Sequence, residues 1–96
     1  MNSLLTIQKK LLSIKPFLVT KYHVSELGLF ASVVRDDFSP MSDVDIMVDF
    51  SRPIGIEFID LADELERQLD RKVDLVSRKG IKPKYFDAIQ SEIIYV

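Results

Sequence analysis

Apolar positions in this chain recur with two different periods. Leu4, Leu5, Ile7, Leu11, Leu12 and Ile14 fall near helical spacing, with Gln8, Lys9 and Lys10 opposite them, which predicts an amphipathic helix over residues 3–14. Pro16 lacks a main-chain donor, so the pattern predicts an interruption there and a second helical stretch to about Tyr22. Residues 25–31 read as a strand. Residues 32–42 carry Asp36, Asp37, Ser39, Pro40 and Ser42, which is loop chemistry, with a short helix starting at Ser32. From Asp43 to Phe50 the period changes to two. Val44, Ile46, Val48 and Phe50 take one face, and Asp43, Asp45, Met47 and Asp49 the other, as expected of a strand with one buried face.

Ser51, Arg52 and Pro53 break that strand. Phe58, Leu61, Ala62, Leu65 and Leu69 then restore helical spacing, with Asp63, Glu64, Glu66, Arg67 and Gln68 on the far side, predicting a helix over residues 56–69. Residues 72–77 read as a third strand, Gly80 and Pro83 as a turn, and residues 84–90 as a last short helix. Residues 93–96 fit either a terminal strand or an apolar tail docking on the core. The order helix, strand, loop, strand, helix, strand, helix points to one α/β (α+β) domain over residues 1–96, a small sheet covered by helices.

Composition narrows the chemistry. The 96 residues carry a net charge of -2, so broad binding to the nucleic-acid backbone is not expected. Without cysteine and with one histidine, disulfides, thiol catalysis and a zinc site of the usual sulfur and imidazole ligands are excluded. No apolar run approaches the ~20 residues that span a bilayer, and the first residues do not form a secretory signal, so a cytoplasmic location is expected.

The informative constellation is acidic. Asp43 and Asp45 are two residues apart on a strand and point to one face, their backbones about 6.6 Å apart. If Val73 and Leu75 face the core, Asp74 faces away from it and, on a neighbouring strand, joins the same surface. Three carboxylates offer hard oxygen ligands that select magnesium or manganese. Such a set holds a pair of ions at the ~3.5–4 Å separation used in phosphoryl and nucleotidyl transfer. At the preceding turn, backbone N–H groups and the Ser32 hydroxyl suit the β- and γ-phosphates of a nucleotide. Arg35 either adds compensating charge or braces the loop. The plainer reading stands beside this one: Asp-x-Asp on a half-buried strand is also what a solvated face looks like. Against it, aspartate is a poor strand former, and a row of carboxylates on one face repels itself without a cation.

The stretch Leu27 to Arg35, followed by Ser42 to Phe50, resembles the signature of the minimal nucleotidyltransferases, a branch of the DNA polymerase β superfamily. That signature is Gly-Ser, ten residues, then Asp-x-Asp. Ten residues separate Ser32 from Asp43, and Lys72 to Val76 resembles the strand that carries the family's third carboxylate. The resemblance runs over nearly the whole chain. It implies a polymerase-β-like fold with Asp43, Asp45 and Asp74 as magnesium ligands, Asp74 also helping to activate the acceptor hydroxyl. Ser32 would contact phosphate. It further implies the antitoxin half of a two-gene module, transferring AMP from ATP to a tyrosine of a helical HEPN-type toxin. The alternative is an antitoxin that neutralises its partner by binding and transfers nucleotide poorly. A homo-oligomer is left open.

Two positions depart from the pattern. The glycine expected before Ser32 is Ala31, and the glycine expected after Arg35 is Asp36. A methyl group at 31 is compatible with that turn only if the local φ is negative. Asp36 adds a negative charge to a loop expected near the triphosphate.

Overall fold

A computed structural model describes residues 3–34 and 42–96. Helix α1 (Ser3–Tyr22) leads into strand β1 (Val24–Phe30), which ends in a 3-10 turn, Ala31–Val34. Strand β2 (Val44–Phe50), helix α2 (Glu57–Leu69) and strand β3 (Val73–Ser77) follow as a β-α-β unit. Helix α3 (Pro83–Ile89) and the two-residue strand β4 (Ile94–Tyr95) close the order. The strands form one mixed sheet in the order β3-β2-β1-β4: β1 is antiparallel to β2 and β4, and β2 is parallel to β3.

The predicted break at Pro16 does not occur, and α1 runs straight through it. Ile7, Leu11, Leu18 and Tyr22 form one buried stripe across the proline. A proline inside a helix costs about 3 kcal/mol. Burying Leu18 and Tyr22 returns on the order of 1.5–3 kcal/mol each, so packing outweighs the local penalty. Pro16 also lies on the exposed side, where water can reach the carbonyl it leaves without a donor.

β2 is central and is buried on both faces, which corrects the one-face expectation. Val44, Ile46 and Val48 join Leu27, Leu29, Leu61 and Leu65 in the main core beneath α1 and α2. Met47, on the opposite face, is equally inaccessible, covered with Phe30 by Ile89 and Ile93 from the C-terminal segment. Those last residues do form a strand. β4 hydrogen-bonds to β1 opposite Gly28, where a side chain would come within 2.6 Å of the Ile93 Cγ2 atom. Among the described residues no helix is long and apolar enough to cross a membrane.

Candidate active site

The two alternations, on β2 and β3, decide where the carboxylates go. Val73 and Leu75 pack on the main core, so Asp74 faces outward and is exposed. The parallel register sets Asp45 opposite Asp74, and the antiparallel register sets Phe30 opposite Asp45. Paired residues in neighbouring strands project to the same face, so Asp45 and Asp74 stand side by side. Asp43 is exposed and lies one residue before β2, two before Asp45 on the same chain line. Hydrogen bonds from the neighbouring strand and the residues before it hold this strand end in place. Val44 N–H donates to Lys72 C=O at 2.9 Å, and the Arg71 Nη2 donates to Ser42 C=O at 3.1 Å. Arg71 was not foreseen as a positioning residue, because a link across 29 positions leaves no periodic trace.

Because β1 and β2 are antiparallel, the 3-10 turn after β1 packs against the start of β2. The backbone of Ser32 is therefore beside the carboxylate end of the sheet. Arg35 and Asp36 lie outside the described residues. Among the described residues no three His, Cys, Asp or Glu side chains are gathered closely enough to hold a metal ion. Asp45 and Asp74 are thus brought into register, while Asp43 stands at the edge of the pair.

Ala31 has φ +57°, so the condition for an unstrained methyl group is not met. The left-handed region costs an L-residue roughly 1–2 kcal/mol. Among the described residues His23 and Asp70 share this backbone region, and each follows a helix. His23 N–H donates to Val19 C=O and Asp70 N–H to Glu66 C=O, the usual closures of a helix end. Ala31 instead marks the exit from β1 into the turn. Asp49 takes no part in the site: its Oδ1 accepts from Phe50 N–H at 2.9 Å, towards the far end of β2.

Among the described residues, Glu64 on α2 is a buried charged side chain. It accepts from Gln68 Nε2 at 2.9 Å and from Arg67. The hydrogen bond from Gln68, with the positive charge of Arg67, holds its carboxyl below the usual glutamate range despite desolvation. Both partners belong to α2, so Glu64 stabilises that helix.

The fold thus combines a parallel β-α-β unit, two carboxylates in register and a strand-exit turn beside them. The chain belongs to the nucleotidyltransferase domain family, whose profile matches residues 11–96, and it is a nucleotidyltransferase. It is 38% identical to the protein adenylyltransferase MntA of Thermococcus cleftensis, covering 99% of this chain and 91% of that one. It is 37% identical to an inferred protein adenylyltransferase of Methanocaldococcus jannaschii over the full length of both. The fold superposes on an inferred minimal nucleotidyltransferase of known structure with a TM-score of 0.81, at 26% identity, over 95% of this chain and 93% of that one. A chain from the complex of a tri-AMPylated Shewanella oneidensis HEPN toxin with an MNT antitoxin shares the fold with a TM-score of 0.67. That match is 22% identical and covers 93% of this chain and 70% of that one.

Proposed function

We propose that this nucleotidyltransferase moves AMP from ATP to a tyrosine hydroxyl of a HEPN-type toxin, acting as its antitoxin. The observation that carries the reading is the register of Asp45 with Asp74, two residues from Asp43 and beside the turn at Ala31–Val34. The adenylyltransferase names of full-length relatives support the group transferred, and the toxin complex that shares the fold supports the class of partner.

The donors at this end of the sheet suit hard divalent ions. They are carboxylates, the sequence has no cysteine, and His23 sits at the other end of β2, where its carbonyl accepts from Ser51 N–H. Asp45 and Asp74, side by side, with Asp43 turned in to join them, would hold magnesium, as a pair of ions. Bound there, magnesium supplies positive charge to the triphosphate and lowers the acceptor's pKa.

The residues themselves do the rest. Main-chain N–H groups of the 31–34 turn, with Ser32 and Arg35, hold the β- and γ-phosphates and orient the α-phosphorus. The Asp74 carboxylate takes the proton of the tyrosine hydroxyl. The phenolic oxygen bonds to the α-phosphorus as the bond to the bridging oxygen breaks, and pyrophosphate leaves. Placement of the acceptor is worth several orders of magnitude in rate, and a partner docked as a folded protein provides it.

The test combines the chain, labelled ATP, magnesium and the product of the adjacent gene. Label is expected on a partner tyrosine and should fall at least ~1000-fold with Asp43→Asn plus Asp45→Asn, the scale of losing charge stabilisation in the transition state. Equal labelling by that double variant refutes the assignment. A second reading, an antitoxin that acts chiefly by binding and turns over slowly, is favoured by the left-handed Ala31. On that reading, Ala31→Gly with Asp36→Gly raises the transfer rate without changing affinity for the partner.

A further inference from the structure

The C-terminal half of β3 offers a second surface, beginning one residue past Asp74. β3 is an edge strand. Main-chain groups alternate sides along a strand. Lys72 C=O faces β2, accepting from Val44 N–H, so Val73, Leu75 and Ser77 direct their main-chain groups to the open side. The Val73 N–H confirms the direction: it donates outward to Glu66 Oε2 at 3.1 Å. Leu75 and Ser77 line a groove of about 540 Å³ along this open side. Its walls come from both faces of the sheet, Phe58 of α2 on one and Ile81 with Tyr85 on the other. An adjoining hollow of about 400 Å³ shares Phe58 and Ser77 and adds Arg52, Lys79 and Asp49.

Charge selects the occupant. The two hollows are lined by Arg52, Lys79 and Lys82 against one acidic residue, Asp49. A second copy pairing edge to edge would set two such basic surfaces against each other, which like-charge repulsion opposes. A bare polyanion would match the charge but would leave the apolar walls and the main-chain donors without partners. We infer that this edge accepts an extended segment of a partner protein, alternating acidic and apolar residues, which adds to the sheet as a fifth strand beside β3. Its main chain pairs with Leu75 and Ser77, its apolar side chains lie against Phe58 and Tyr85, and its carboxylates meet Arg52, Lys79 and Lys82.

Ser77→Pro isolates the contact. Ser77 has φ -82° and ψ 136°, angles proline adopts readily, and proline is tolerated on an edge strand. The substitution removes one outward N–H and leaves the fold in place. A random seven-residue peptide library displayed on phage is selected on the immobilised chain, and an enriched peptide is synthesised. Enrichment of alternating Asp/Glu and apolar residues is expected, with affinity about tenfold or more weaker for Ser77→Pro and for Lys79→Glu plus Lys82→Glu. In the unsubstituted chain the peptide should slow hydrogen exchange at the Leu75 and Ser77 amides at least tenfold and leave Asp74 and Val76 unchanged. This period-two signature does not depend on how any variant folds. No enrichment, equal binding by Ser77→Pro, or uniform protection across residues 73–77 overturns the inference. So does a single-stranded RNA oligonucleotide that displaces the peptide and binds Ser77→Pro undiminished, or self-association of the chain that Ser77→Pro abolishes.

Discussion

Replacing Ala31 with glycine tests the strand-exit turn directly, because the usual sign of an alanine-to-glycine change should vanish or reverse there. Ala31 sits at φ +57°, half-buried against the Phe30 and Met47 cluster. Removing its methyl group relieves about 1–2 kcal/mol of left-handed strain. Two terms oppose the gain: added freedom of the unfolded chain, about 0.4–1 kcal/mol, and loss of a half-buried methyl, roughly 0.4 kcal/mol. The balance runs from about -0.4 to about 1.2 kcal/mol, centred in favour of glycine. For a domain near 100 residues, 1 kcal/mol moves Tm by about 4–8 °C. Ala31→Gly is therefore expected to leave Tm unchanged or raise it by a few degrees, measured by thermal and urea unfolding. Ala31→Val, which adds a β-branch in the same left-handed region, should lower Tm by at least ~4 °C. A fall of 3 °C or more for Ala31→Gly would refute the reasoning, since that is what glycine does at an ordinary backbone angle.

Other expectations follow from the same packing. Gly28→Ala drives a methyl group to 2.6 Å from the Ile93 Cγ2 atom and should cost about 1–3 kcal/mol, seen as a lower urea midpoint and faster exchange of the β4 amides. Pro16→Ala restores a donor inside α1 and should raise stability by about 1–2 kcal/mol in the same unfolding assay. Glu64 has a lowered pKa in the folded chain, so its ionised form stabilises the fold. That contribution is complete above the ordinary glutamate value of about 4.3 and is lost as pH falls from there through the folded value. Glu64→Gln should therefore be less stable than the unsubstituted chain at pH 7, with the difference shrinking towards pH 3; a difference that does not depend on pH would count against an ionised Glu64.

The site and the fold were legible to different depths. Alternation from Val44 to Phe50 and from Val73 to Ser77 placed both strands and the outward direction of Asp74. The helical spacing of Leu61, Leu65 and Leu69 placed α2, whose start differs from the expected one by a single residue. These features are local: the period of side chains around a helix or along a strand follows from backbone geometry alone, and any residue contributes to it whatever it later touches. The family signature drew on the same local spacing, ten residues from Ser32 to Asp43.

What tertiary structure decided is of another kind. Whether Pro16 broke its helix depended on a buried stripe that only the sheet could supply. Met47 lay on the face expected to meet solvent, and its burial came from residues more than forty positions later. The pairing of Asp45 with Asp74, the brace from Arg71 to Ser42 and the positive φ of Ala31 arise where distant segments meet. The residue types and their periods were thus set by the chain itself, but which aspartates stand together, and at what strain beside them, followed from a strand register that no local pattern encodes.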